Sequence, residues 1–405
     1  MSNIEKENTP IATSKIKWLT YMMFMVFAMT TDAVGVIIPE IIQTYDLSLT
    51  AASAFHYAPM IAIALSGLFL GFLADKLGRK NTIIIGLIIF AFACFLFAIG
   101  DAFLFFLALL MVSGAAIGIF KTGALALIGD ITEGEKEHTS IMNTVEGFFG
   151  VGAIIGPAIV SYLLISGADW KYLYIVAGVI CAGLCLLAWR TDYPVMKQNP
   201  EEKIDLSRTF AMMKNPYALG FSLAIAFYVA TEVAIYVWMP TLLSEYKGSM
   251  VTLAVYALTI FFILRAGGRF LGAWVLTKFD WKLVMVINSS AIFLCFLGSM
   301  IFGIDAAIML LPLAGLFMSM IYPTLNSKGI SCFERSKHGA VAGVILFFTA
   351  VAAALGPLAM GLVSDLFGDI TYGFYLATGF AGCLAALAVY NIIANPAQQA
   401  LSAKQ

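Results

Sequence analysis

Charge is what this sequence has least of. Only 12% of its 405 residues are Asp, Glu, Lys or Arg, 61% are hydrophobic, and the mean hydropathy is +0.94. Soluble domains carry about 25% charged residues, so the composition excludes an ordinary soluble chain. Histidine is scarce too, with three copies. The six cysteines, Cys94, Cys181, Cys185, Cys295, Cys332 and Cys383, sit in or beside apolar runs with no metal-ligand spacing. They read as small packing residues, and neither a metal site nor a cofactor is expected. No H-E-x-x-H, no G-x-S-x-G and no phosphate-cradling loop occurs, which argues against an enzyme. No sizeable polar domain is present to serve a sensor, and a net charge of -1 argues against a nucleic-acid partner.

What fills the chain instead is a succession of apolar runs of about 20 residues, the length that crosses a ~30 Å hydrocarbon core. About twelve such runs lie at 18–42, 53–74, 82–100, 103–128, 140–165, 171–189, 217–243, 251–276, 282–302, 305–331, 340–363 and 371–394. The expected class is an all-α integral membrane protein embedded in a lipid bilayer. Basic residues gather in alternate loops: Lys6, Lys15 and Lys17; Lys76, Arg79 and Lys80; Arg190 to Lys214; Lys278 and Lys282; Arg335 and Lys337. The opposite loops hold Lys171 and Lys247. The positive-inside rule then places both termini in the cytoplasm. The start, MSNIEKENTPIATSKIK, is polar and lacks the pattern of a cleavable signal, so the first span is expected to stay.

One polar stretch, 190–216, splits the chain into similar halves. The expected organisation is a cytoplasmic tail (1–17), a six-helix bundle (18–189), a cytoplasmic central loop (190–216), a second six-helix bundle (217–394) and a cytoplasmic tail (395–405). KEHTSIMNTVEGFFGVGAIIGP, from Lys136, aligns with SKHGAVAGVILFFTAVAAALGP, from Ser336, so that Gly156-Pro157 meets Gly356-Pro357. TTDAVGVIIPEIIQTY, from Thr30, aligns with ATEVAIYVWMPTLLSEY, from Ala230, with one gap. An acid thus precedes a proline by about two helical turns in span one and again in span seven. Parallel six-plus-six repeats with a mid-membrane site are one plan of secondary transporters, and the Gly-Pro pairs are expected to kink spans five and eleven.

A charge inside a span costs at least a few kcal/mol and marks a cavity or a partner. At ~1.5 Å per residue, Asp32 and Glu232 lie roughly 21 Å from the cytoplasmic ends of spans one and seven. Lys121 in span four and Glu146 in span five both fall about 10 Å from that face, and an ion pair between them is expected because either charge alone would be costly. Asp32 and Glu232 are the candidates for proton coupling, with Glu146 beside them, because a desolvated carboxylate responds to occupation of the cavity. Arg265 has a fork suited to a carboxylate or to vicinal hydroxyls, with snorkelling beside Arg269 as the alternative. For Lys328 snorkelling is favoured, and His56 is an interfacial residue or a titrating one.

GFLADKLGRK, Gly71 to Lys80, resembles the loop signature of the major facilitator superfamily, G-x-L-A-D-[KR]-x-G-R-[KR], at Gly71, Leu73, Asp75, Gly78, Arg79 and Lys80. A weaker copy, GGRFLGAWVLTKFDWK, starts at Gly267. The resemblance covers the whole chain and implies two pseudo-symmetric six-helix bundles, with Gly71, Asp75, Gly78, Arg79 and Lys80 as a conformational switch. Within the superfamily, FYVATEVAIYVW (Phe227 to Trp238) and FMSMIYPTLNSKGI (Phe317 to Ile330) resemble spans seven and ten of the fucose/galactose proton symporter group. Gly35 and Lys121 stand where the group's fucose member has acids. The resemblance implies a secondary active transporter, with H⁺ as coupling ion and Na⁺ as the alternative, importing a sugar or sugar derivative. Uptake of a sugar acid or other organic anion is the runner-up, and efflux of small amphiphiles ranks third because Val160 and Ser161 follow Gly156-Pro157 and Leu110 replaces the exporters' span-four arginine. Substrate contacts would come from Lys121, Asn143, Glu146, Tyr228, Tyr236, Trp238, Arg265, Tyr322 and Asn326. An inner-membrane monomer is the usual arrangement.

Overall fold

The computed structural model describes residues 10–70, 77–131, 135–193, 213–333 and 338–398. Gly71 and Asp75 of the loop signature, most of the central loop (194–212), Arg335, Lys337 and the outer parts of both tails lie outside the described residues. Among those described, 12 helical stretches are long and apolar enough to cross a membrane. In chain order they are α1 (Thr13–Tyr45), α2 (Leu49–Ser66), α3 (Arg79–Leu96), α4 (Phe103–Leu125), α5 (Thr144–Ile165), α6 (Tyr172–Trp189), α7 (Pro216–Leu243), α8 (Ala257–Leu276), α9 (Trp281–Phe302), α10 (Ile304–Ser331), α11 (Val344–Phe367) and α12 (Ile370–Ala394). Hydrocarbon offers no partner to backbone polar groups, so a spanning segment must satisfy its own.

The chain clusters into two compact units, Met1–Ala33 with Ala58–Glu201, and Val34–Tyr57 with Glu202–Gln405. The segment 34–57, which the sequence repeat assigns to the first half, therefore packs with the second. The chain changes unit at a gap between helix Pro10–Thr31 and helix Val34–Tyr45, where Asp32 and Ala33 form a turn. In the first unit an aromatic core joins Phe27 to Phe90 and Phe120 (4.6 and 4.7 Å between ring centroids), and Phe97 stacks on Tyr174 at 3.9 Å. α5 runs unbroken through Pro157, where a kink is expected from sequence, and Gly156 lets the Met29 backbone approach it. Gly78 has φ of 81° and precedes α3 as its N-cap, a backbone conformation that suits glycine. At the far end Lys171 lies 2.9 Å from Asp101 and 3.2 Å from Asp169.

Four of the described spans are interrupted, each upstream of a proline; one of them, α2, turns at Ser53 before Pro59. α1 breaks at Asp32–Ala33 before Pro39, α7 turns π-helical over Ala234–Trp238 before Pro240, and α10 breaks at Ser319–Met320 before Pro323. Proline lacks an N–H and crowds the carbonyl four residues back, which frees the carbonyls of Gly35, Tyr236 and Ser319. In the second unit two of these sites meet. A Cβ on Gly35 would collide with the Tyr236 carbonyl oxygen, so an α hydrogen of Gly35 points at that oxygen, in the manner of a Cα–H···O contact. Nearby, Trp238 Nε1 donates to the Pro357 carbonyl at 3.1 Å, and the Asp365 carboxylate accepts from the N–H groups of Leu49 (2.9 Å) and Thr50 (2.8 Å).

Backbone oxygen cannot rotate away as a side chain can, so Gly35→Ala is expected to lower the thermal midpoint of the purified protein, with a loss of about 1–3 kcal/mol typical of overpacking. Gly379→Ala, which has nothing within 4 Å of its added carbon, should leave the midpoint unchanged or higher. Equal behaviour of the two variants would refute the contact.

Candidate substrate and proton site

Glu232 is 7% exposed and sits in the last turn of α-helix before the π segment of α7. Tyr228, one turn earlier on the same face, donates its hydroxyl to Glu232 Oε1 at 2.6 Å. Arg265 of α8 brings Nε to 2.9 Å from the same oxygen. The Arg265 N–H is not aligned with that line, so the contact is a close ion pair rather than a well-formed hydrogen bond. Side-chain exposures of 9% for Glu232 and 21% for Arg265 put the pair largely out of solvent, where a partner is what makes either charge tolerable.

Aromatic rings surround this pair within the second unit. Tyr322 of α10 lies 6.3 Å from Tyr228, and Phe262 lies beneath the Arg265 guanidinium at 6.0 Å and 6.3 Å from Tyr236. Tyr236 in turn meets His56 of α2 at 5.4 Å. His56 is 1% exposed, and neither ring nitrogen makes a hydrogen bond of good geometry among the described residues. Gly268 of α8 brings the α10 break close, since a Cβ there would strike Ser319 and Leu316. That close crossing sets Arg265, one turn before Gly268, beside α7 and α10.

The first unit holds a second group of charges. Lys121 of α4 is half-buried, with its ammonium 6.0 Å from the Phe24 ring and 5.5 Å from the Phe149 ring, a cation–π arrangement. The expected Lys121–Glu146 ion pair does not form: the Glu146 side chain is exposed, and the ion pairs within 4 Å among the described residues do not include these two. Glu146 and then Asp32 are nonetheless near enough for their charges to act on the ammonium. Asp32 itself is half-buried at the α1 break and accepts a hydrogen bond from Thr31 Oγ1 at 3.2 Å.

The remaining sequence candidates fall into three sorts. Trp238 is 1% exposed and spends its one donor on Pro357, which makes it a brace between α7 and α11. Asn326 stays half-buried one turn beyond Tyr322, while the side chain of Asn143 lies outside the described part. In the loop signature Lys80 donates to the Trp189 and Thr191 carbonyls, both at 2.8 Å, so it caps the end of α6 inside the first unit; Arg79 is half-buried at the start of α3. Phe262 was not anticipated, because an apolar residue in an apolar helix carries no mark of its own. The π turn was legible only as an acid followed by a proline.

Twelve spans in two compact units, with an ion pair enclosed in the membrane-spanning part, define a helical membrane protein of the transporter type. The chain belongs to the Major Facilitator Superfamily, whose description matches residues 20–357. This is a family of transporters rather than enzymes. A glucose/galactose transporter of Brucella abortus is 23% identical over 390 residues, covering 92% of each chain. Among solved structures, the E. coli fucose:proton symporter FucP matches 92% of this chain and 98% of its own at a TM-score of 0.64 and 20% identity. The nucleoside transporter NupG matches 95% and 99% at a TM-score of 0.73 and 18% identity. The fold class expected from sequence is thereby established, and the distant relatives include sugar transporters.

If Glu232 and Arg265 support one another, the thermal midpoints of Glu232→Gln and Arg265→Gln should each fall, and the double variant should fall by less than their sum. A coupling within the 0.5–3 kcal/mol range of contacting residues is expected, by approximate measure. Simple additivity in the midpoints would show that the pair contributes nothing.

Proposed function

We propose that the protein is a proton-coupled importer of a sugar or sugar derivative, working by alternating access between two six-helix halves, with both termini in the cytoplasm of a cell bounded by this inner membrane. The observation that carries this reading is the enclosed Tyr228–Glu232–Arg265 group. While Glu232 is ionised, it holds the guanidinium. A proton on Glu232 removes that attraction and releases the guanidinium fork and the tyrosine hydroxyl to meet substrate hydroxyls, while Tyr322 and Tyr236 supply faces for the C–H side of a pyranose. Because the proton and the substrate then favour one another, each raises the affinity for the other by the same factor. The distant likeness to sugar transporters supports the substrate class. Asp32 is the second candidate for carrying the proton, with Glu146 beside it, and Gly71, Asp75, Gly78, Arg79 and Lys80 are proposed to bias the equilibrium between states.

A second reading rests on Arg265 and Lys121: a substrate carboxylate could take the place of Glu232 on the guanidinium, so that a sugar acid is the cargo. Proteoliposomes given labelled neutral hexoses, amino sugars and sugar acids, with and without an inward proton gradient, separate the two. The expected result is accumulation of a neutral sugar driven by the gradient. In Glu232→Gln that accumulation should drop to equilibration while counterflow persists. Accumulation of acids alone establishes the second reading, and gradient-driven accumulation in Glu232→Gln moves the coupling to Asp32.

A further inference from the structure

A cavity of about 230 Å³ lies in the second unit, away from the charged group just described, where the first turns of α7 and α9 meet the last turns of α10 and α12. Its wall is mainly apolar, with Phe221 and Ala224 from α7, Met285 from α9, Leu325 from α10, and Leu384 and Ala388 from α12, beside Ser289 and Asn391. The volume is below the roughly 300 Å³ at which pockets for whole small molecules begin, so it suits the end of a chain whose head stays outside. Tyr217 and Tyr390 also line it, and Tyr390 is 58% exposed. Tyrosines in such places mark the membrane–water interface.

Lysines surround this end of the unit. Lys328 follows Leu325 by one helical turn on the same face of α10, and its ammonium lies 5.9 Å from the Trp281 ring. Trp281 packs at 6.4 Å on Phe221, a wall residue. Lys282 precedes Met285 by one turn on α9, and exposed Lys214 stands two residues before Pro216, where the wall begins. The acid among them, Asp280, caps α9 through the Lys282 N–H at 2.8 Å and lies 3.8 Å from Lys282 Nζ. Among the described residues, these three ammonium groups against the Asp280 carboxylate leave a net positive charge beside the cavity.

We propose that the cavity holds an acyl chain of one anionic phospholipid, with the headgroup phosphate at Lys328 and Lys282. Apolar walls alone would accept any lipid tail. The lysines one turn beyond the wall on two separate helices add selection for a negative head, since a basic residue near an anionic surface favours binding by a sizeable and roughly constant amount. Neither the transported substrate nor the coupling ion enters this inference.

Native mass spectrometry of the detergent-solubilised protein, with phosphatidylglycerol and phosphatidylcholine of identical chains in equal amounts, tests it. One phosphatidylglycerol should be retained per protein in preference to phosphatidylcholine. Lys282→Gln with Lys328→Gln should lower that preference by about fivefold per lysine removed, and Ala388→Trp, which fills the cavity, should lose both lipids. The lysines are at the rim, so an unchanged helical circular-dichroism spectrum and thermal midpoint in phosphatidylcholine identify their effect as loss of a site rather than of the fold. Equal retention of the two lipids by the wild type, or an undiminished preference in the lysine double variant, overturns the proposal.

Discussion

A backbone carbonyl released by proline has no water to turn to inside a bilayer, and the architecture of this protein is organised around where such carbonyls go. Pro39, Pro240 and Pro323 each free one, and α1, α7 and α10 each depart from regular α-helix just upstream. Pro157, Pro312 and Pro357 do not have this effect: they lie within helices that continue through them. Proline alone therefore does not produce the breaks. At the α1 and α7 interruptions an acid precedes the proline, and at α10 a tyrosine stands directly before it, so the irregular backbone coincides with the side chains that carry chemistry.

The Gly35 contact with Tyr236 shows how two such sites support each other in the second unit. Gly35 is four residues before Pro39, and Tyr236 four before Pro240, so equivalent points of the two repeats meet. Any side chain at 35 would push the Tyr236 carbonyl away and disturb the π turn. That turn adds a residue to the helical circuit and thereby aims Trp238 at Pro357 while Glu232 keeps its place beside Tyr228 and Arg265. Packing at a glycine, backbone irregularity and the orientation of a carboxylate are thus one arrangement.

Much of this was legible in the sequence. Twelve apolar runs and the loop from Gly71 specify the fold class, since span length follows from bilayer thickness and the signature fits a named family. Asp32, Glu232 and Arg265 stood out because charge in an apolar run is expensive. Partners were harder to read. Depth along a helix follows from counting residues, but direction around it turns by about 100° per residue, so two residues at one height can face apart. Lys121 and Glu146 share a height, yet the Glu146 side chain is exposed and Lys121 lies on Phe24 and Phe149. Trp238, placed by sequence among the substrate contacts, turned out to be a brace for the same reason.

The two charged groups differ in how they hold their cation, and the difference has a consequence for which can respond to a proton. Arg265 is held by a carboxylate, so protonation of Glu232 removes its partner outright and changes the local net charge where solvent is largely excluded. Lys121 is held by ring faces, whose quadrupole attracts a cation without neutralising it. Its charge therefore persists whatever contact the ammonium makes. A cation on rings sets a standing field, while a cation on a carboxylate makes a contact that one proton can undo. Of the two arrangements, the second has the discrete pair of states that coupling to a substrate requires.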